Sequence, residues 1–440
     1  MHDELRSRVS ALFPRLQSTL EELIAIPSVS LDGFPPEEVR RSAERVAELL
    51  ADVGVENTRL LEIDGAHPAV YGEIPPPEGM PTVLLYAHHD VQPPGPAEEW
   101  ETGPFTPVVK ENRLLGRGAS DDKAGIIMHL GSILAHEGRP PVGIKLLIEG
   151  EEETGSDHLV DFLDAYSDQL KADVVVIADS GNWRVGIPAL TTSLRGLVAC
   201  IVEVRTLASP QHSGLFGGVV PDAITAFSRL VATLHNDDGE VAIEGLVGRE
   251  EPGPDLSEDE VRELSGAVDG LELMGSGSFT SRMWTKPAVA VLAMDVPPIS
   301  QAINQVIPVV RSKISMRIAP GQKPDEAMEA LTRHLEENAP WGVEVSVTPV
   351  DTGEAFSLTT EGIAFDAWRT ALTEAFDHEV VEMGVGGSIP FVSAFSERIP
   401  DAPILLTGAG DPTSSVHAPN ESQDLADLQS AVLAEAIALQ

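Results

Sequence analysis

A single cysteine, Cys200, stands in 440 residues, so the chain cannot close an intrachain disulfide. It sits in the apolar run LVACIVEV, which points to a buried, inert thiol. Basic residues are scarce: 29 Lys and Arg face 70 Asp and Glu, for a formal charge of −41. Phosphate binding needs a basic surface, so this balance argues against nucleic acid as a partner, and it disfavours anionic membranes. Long apolar runs are missing too, and none approaches the ~20 residues that span a bilayer. The opening Met1-His2-Asp3-Glu4-Leu5 carries acid where a secretion signal carries base, and no apolar segment follows it. A cytoplasmic protein is the expectation. No internal repeat or long low-complexity tract interrupts the chain.

What is present suffices for packed interiors: 42% of the residues are hydrophobic, and the length suits two domains. The acid excess serves solubility, and a handful of the acids is free to hold cations. Helical spacing over 5–26 stops at Pro27, and a second helix is expected over 35–53. The run TVLLYA (82–87) reads as a buried strand, as do GIKLLI (143–148), DVVVIA (173–178) and PILL (403–406). Helices are expected between them over 122–137 and 159–170. Strands alternating with helices give an α/β domain with a mostly parallel sheet.

The middle of the chain reads differently. Strands over 197–204, 288–294, 313–318 and 343–350, with helices over 223–234 and 324–338, give the order of an α+β open-faced sandwich. Residues 236–286 are acidic, Gly-rich and irregular, as in a surface excursion. The division expected is therefore 1–193 with 355–440 as one discontinuous domain and 194–354 as an insertion.

The chemistry-bearing residues fall where the buried strands end, and such sheets place their sites beyond the carboxyl ends of strands. TVLLYA leads into His88-His89-Asp90, and GIKLLI leads into Glu149-Gly150-Glu151-Glu152-Glu153. Asp179 follows DVVVIA, and the loop after PILL runs on to His417. Asp121 closes the Gly-rich stretch ahead of the 122–137 helix. Taken singly, Asp121 or Asp122 is a helix cap and the glutamates a solvated loop. Gathered at one sheet edge, they read as metal ligands.

The strings YAHHDVQP (86–93), GRGASDDK (116–123) and EEETGS (151–156) resemble the signatures of the M20 metallopeptidases. QHSGLFGG (211–218) and GGSIP (386–390) are similar to its carnosinase-like dipeptidase branch. The resemblance implies a zinc-exopeptidase-like catalytic domain carrying an inserted lid and dimerisation domain, hence a homodimer. It implies two divalent ions per subunit, zinc with manganese or cobalt as substitutes, bridged by Asp121. His88 and Asp179 complete one site, and Glu153 and His417 the other. Glu152 resembles the general base and Asp90 the carboxylate that orients His88. His212 resembles the oxyanion donor, Arg317 in SMRIAP the clamp for the substrate carboxylate, and Ser388 with Gly387 a substrate-binding turn. His89 departs from the branch, which has Tyr there, and Gln305 stands where the branch has Thr.

The activity expected is hydrolysis of dipeptides or short peptides with a free C-terminal carboxylate. The alternative is an N-acyl amino acid deacylase using the same site.

Overall fold

Apolar runs without alternation belong at the centre of a sheet, because a strand covered on both faces has no solvent side. The computed structural model describes residues 2–251, 253–358, 360–387 and 390–440. It divides into two compact units, one of Met1–Thr192, Leu358–Met383 and Pro390–Gln440, the other of Ser193–Ser357 and Gly384–Ile389.

In the first unit, β1 (Glu56–Leu61) and β2 (Ala69–Ile74) form an antiparallel edge. β2 pairs with Gly143–Glu149, which runs parallel to β3 (Thr82–His88). β3 is also parallel to Val174–Ile177, and that strand to Ile404–Leu406. These four central strands are the four apolar runs. The antiparallel edges β1 and β2 carry polar residues among the apolar ones (ENTRLL, AVYGEI) and give no such signal.

The helices of this unit bury apolar side chains. α1 (Asp3–Ile24) buries Leu5, Val9, Phe13, Leu16, Leu20 and Leu23, a stripe at helical spacing. α2 (Pro36–Asp52) buries Val39, Ala43, Val46 and Leu50 in the same way. α3 (Lys123–Ala135) is apolar nearly all round and almost wholly buried. It packs against α1 and the C-terminal helix Leu425–Ala438. At Gly131 a Cβ would lie 2.6 Å from Val432 and 2.9 Å from Leu16, so the close approach of the three helices requires glycine there. The helix expected over 159–170 is two pieces, Leu159–Ala165 and Ser167–Leu170. Tyr166 breaks it, with non-helical angles, its ring on Phe162 and its hydroxyl donating to the Glu62 carbonyl.

The second unit holds an antiparallel sheet in the order Ala288–Asp295, Val309–Ile318, Gly196–Arg205, Glu344–Gly353. Gly196–Arg205 alternates, sending Val198, Cys200, Val202 and Val204 to one face. Helices Ala223–Val231 and Pro324–Glu337 cover that face with Phe227, Leu230, Leu331 and Leu335. Within the 236–286 excursion, Glu258–Ser265 is a short helix started by a Ser257–Glu260 capping box. Among the described residues, no helix is long and apolar enough to cross a membrane.

Cys200 is fully buried on the covered face, and burial pushes its thiol up to about 11. A thiolate-directed reagent at pH 8 is expected to leave native Cys200 untouched and to label one thiol per chain in denaturant. Immediate labelling of the native protein would show that this sheet face opens.

Candidate metal centre

Parallel pairing sets the site. His88, the last residue of β3, is in register with Glu149, so the loops after both strands leave from the same edge. Asp90, two residues on, is fully buried and accepts from the Ser30 hydroxyl at 2.7 Å. It also accepts from the backbone N–H groups of Glu152 (3.3 Å) and Glu153 (3.0 Å). One carboxylate thus fixes the turn Glu152–Thr154, and the two glutamates point into different groups of side chains. Asp122 is the cap of α3, accepting from Gly125 N–H at 3.2 Å and from His88 N–H at 3.2 Å. That leaves Asp121 to face the site.

Two groups of donors result: His88, Glu152 and Asp179, and Asp121, Glu153 and His417, the donor atoms of each lying within 4.8 Å of one another. Asp121 lies between them. Its Oδ1 is 3.0 Å from His88 Nε2 and its Oδ2 is 2.8 Å from His417 Nε2. His417 Nε2 is also 3.2 Å from Glu153 Oε2, and His88 Nδ1 is 3.4 Å from Asp90 Oδ1. Imidazole nitrogens and carboxylate oxygens at these spacings fit divalent ions of the zinc, manganese or cobalt type.

The electrostatics agree with that fit. Burial raises the Glu152 carboxyl well above the usual range, with Asp179, Asp121 and Glu153 adding to it. Asp179 is raised by burial and by Asp121, and Glu153 likewise. Burial would lower His88, but hydrogen bonds to Asp121 and Asp90 raise it well above 6.5. His417 is raised to about 10 by Asp121 and then Glu153. Three acids that resist ionisation, beside imidazoles that keep their protons, form a site short of positive charge, which cations supply; Asp121, despite its burial, is held below the usual carboxylate range by His417 and His88.

The donors proposed from the sequence, His88, Asp121, Glu153, Asp179 and His417, and the two further carboxylates, Asp90 and Glu152, all lie in the first unit. His212, Arg317 and Gly387 lie in the second. His212 is exposed on the short strand Gln211–His212, opposite Gln305, and its Nδ1 accepts from Gly214 N–H at 3.0 Å. Arg317 lies on Val309–Ile318 between Leu197 and Ala288. Gly387 follows the strand Val381–Val385, and Ser388 lies outside the described residues.

Three neighbours escape the sequence reading. Gln92 donates to both Glu153 oxygens, from its N–H at 3.0 Å and its side-chain amide at 2.7 Å. Ser30 anchors Asp90, and Glu421 binds the loop that ends at Asp121. Only their sequence proximity to Asp90 (for Gln92) and His417 (for Glu421) marks them.

The model of peptidase family M20/M25/M40 matches residues 84–439. The cysteinylglycine-S-conjugate dipeptidase of Corynebacterium striatum is 32% identical, covering 97% of this chain and 95% of that protein. The Cys-Gly metallodipeptidase of Schizosaccharomyces pombe is 27% identical over 92% of this chain and 91% of its own. Human carnosine dipeptidase 1 shares the fold with a TM-score of 0.82 at 23% identity, covering 99% of this chain and 98% of that one. An M20 family metallo-carboxypeptidase from Sulfolobus solfataricus gives 0.77 at 27% identity, covering 96% and 98%. The family match runs through every donor from His88 to His417, and on that extent the chain belongs to peptidase family M20/M25/M40.

Proposed function

We propose that this protein is a two-metal dipeptidase acting on dipeptides or short peptides with a free C-terminal carboxylate. The observation that carries the reading is Asp121, whose two oxygens face one histidine from each donor group. The dipeptidase names of the relatives in C. striatum and S. pombe support the substrate class, and the Sulfolobus carboxypeptidase supports release of a C-terminal residue. His88 and Asp179 would hold one ion and Glu153 and His417 the other, with Asp121 placed to serve both; zinc is the ion proposed. Bound ions supply a polarised carbonyl and a water acidified toward neutral pH.

The chain's own residues do the rest. Glu152 takes the proton of the attacking water and returns it to the leaving amine. Asp90 orients His88 by facing its Nδ1, leaving Nε2 for the ion. His212 donates to the oxyanion, Arg317 pairs with the substrate carboxylate as a planar fork, and Gly387 and Ser388 serve substrate binding. A homodimer through the second unit is part of the proposal. The edge strand Ala288–Asp295 exposes Leu292 at 58%, and Ile299 and Ile303 beyond it are 95% and 71% exposed, which supports an apolar contact. The buried free thiol of Cys200 suits a cytoplasmic setting.

Protein stripped by chelator and restored with zinc, manganese or cobalt is expected to release free amino acids from mixed dipeptides. Activity confined to N-acylated amino acids would move it to the deacylase reaction, and inactivity on both classes would sink the hydrolase reading. Glu152→Gln is expected to lower kcat by about 10²–10⁴-fold with both ions retained; loss of an ion would make Glu152 a ligand instead. Light scattering is expected to give twice the 46.8 kDa chain mass, and a monomer would remove the dimer.

A further inference from the structure

We propose that Glu421 is a positioning residue for the metal centre, a built-in anion that holds the Asp121 loop and the His417 loop in one piece. The inference rests on the two-metal reading above. Glu421 is fully buried and four residues beyond His417. Its Oε1 accepts from the backbone N–H groups of Ser120 (3.0 Å) and Asp121 (3.1 Å). Its Oε2 accepts from Gly118 N–H at 3.1 Å and from Arg117 Nη1 at 2.6 Å. The Glu421 carbonyl accepts from Gly116 N–H at 2.9 Å. The next residues, Ser422–Asp424, pair antiparallel with Arg113–Leu115. The segment leading to Asp121 and the segment leaving His417 are therefore laced together along their length, with Glu421 at the end nearest the donors.

The chemistry needs a carboxylate at this point. The Gly116–Asp121 loop turns three N–H groups inward, a concave nest of partial positive charge that binds an anion. Arg117, itself 1% exposed, adds a full charge and is held in turn by the Pro93 carbonyl at 3.2 Å. Every acceptor site of Glu421 is used. With glutamine in its place, one end could still accept, but the amide nitrogen would confront Gly118 N–H or the guanidinium, donor against donor. Aspartate would keep the charge but withdraw it by one methylene from four donors that are already placed. In either case the loop that ends at Asp121 loses part of its anchorage, and the carboxylate shared by both donor groups is held less firmly. The segment leaving His417 loses its side-chain tie to that loop at the same time. The group of Asp121, Glu153 and His417 has two of its three donors on these loops, so it suffers more than the group of His88, Glu152 and Asp179.

Metal-free wild type, Glu421→Gln and Glu421→Asp are titrated with zinc against a chromophoric chelator, and the urea midpoint of each metal-free protein is measured. The expected result is two ions bound by wild type and a loss of about 10–100-fold in affinity for one of the two in the variants. The metal-free Glu421→Asp protein is expected to unfold near the wild-type midpoint. If Glu421→Gln does not fold, Glu421→Asp alone decides. Wild-type affinity for both ions in the folded variants overturns the proposal. So does an equal weakening of both ions together with a collapsed urea midpoint, which marks a merely structural residue. Wild type that takes up fewer than two ions fails the two-metal reading itself, a result read separately from any variant.

Discussion

Four carboxylates, Asp121, Glu152, Glu153 and Asp179, share a confined space with two imidazoles, and their mutual repulsion is the constraint the first unit is built around. Like charges in a low-dielectric setting separate unless something holds them. Here the holding is done by backbone. Parallel strands deliver three of the segments to one edge, and the Glu152–Thr154 turn is tied by its N–H groups to Asp90. Side chains alone could rotate away from one another; backbone pinned at both ends cannot.

The pinning continues beneath the sheet. His129 on α3 bonds Glu435 of the C-terminal helix at 2.9 Å and the Tyr86 carbonyl at 3.1 Å. Ser132 adds a 2.6 Å bond to the same Glu435, and Tyr86 donates to Glu149 at 2.6 Å. All of these groups are buried, and each has a protein partner, although Glu149 keeps its second oxygen, Oε1, without one. The chain of contacts runs from the C-terminal helix through α3 and β3 to the residue before the glutamate loop. The apolar core supplies most of the stability, and these polar ties set where the strand ends lie within it.

The central sheet could be read from the sequence because TVLLYA, GIKLLI, DVVVIA and PILL are apolar on both faces, and only a doubly covered strand tolerates that. The same runs marked the positions of His88, Glu152, Glu153 and Asp179, because a residue that follows such a run must leave at its carboxyl end. β1 and β2 were not legible, since a short edge strand such as ENTRLL looks like a loop. The two-piece helix around Tyr166 was not legible either, because its break depends on a contact with Glu62, far away in sequence. Gln92 bonds the Glu153 carboxylate, and Glu421 bonds backbone N–H groups and Arg117, and such roles leave no periodicity or spacing to find. Asp122 shows the limit from the other side: two adjacent aspartates have the same chemistry on paper, and only the cap geometry tells them apart.

The position of Asp121 between two histidines has a thermodynamic corollary. A ligand common to two sites makes them one system: whatever the first ion does to the affinity for the second, the second does to the first by the same factor. An ion at one site would relieve repulsion among the acids and fix the shared carboxylate, and it would also repel a second cation nearby. The balance of these effects sets the coupling, and the two sites cannot be tuned apart.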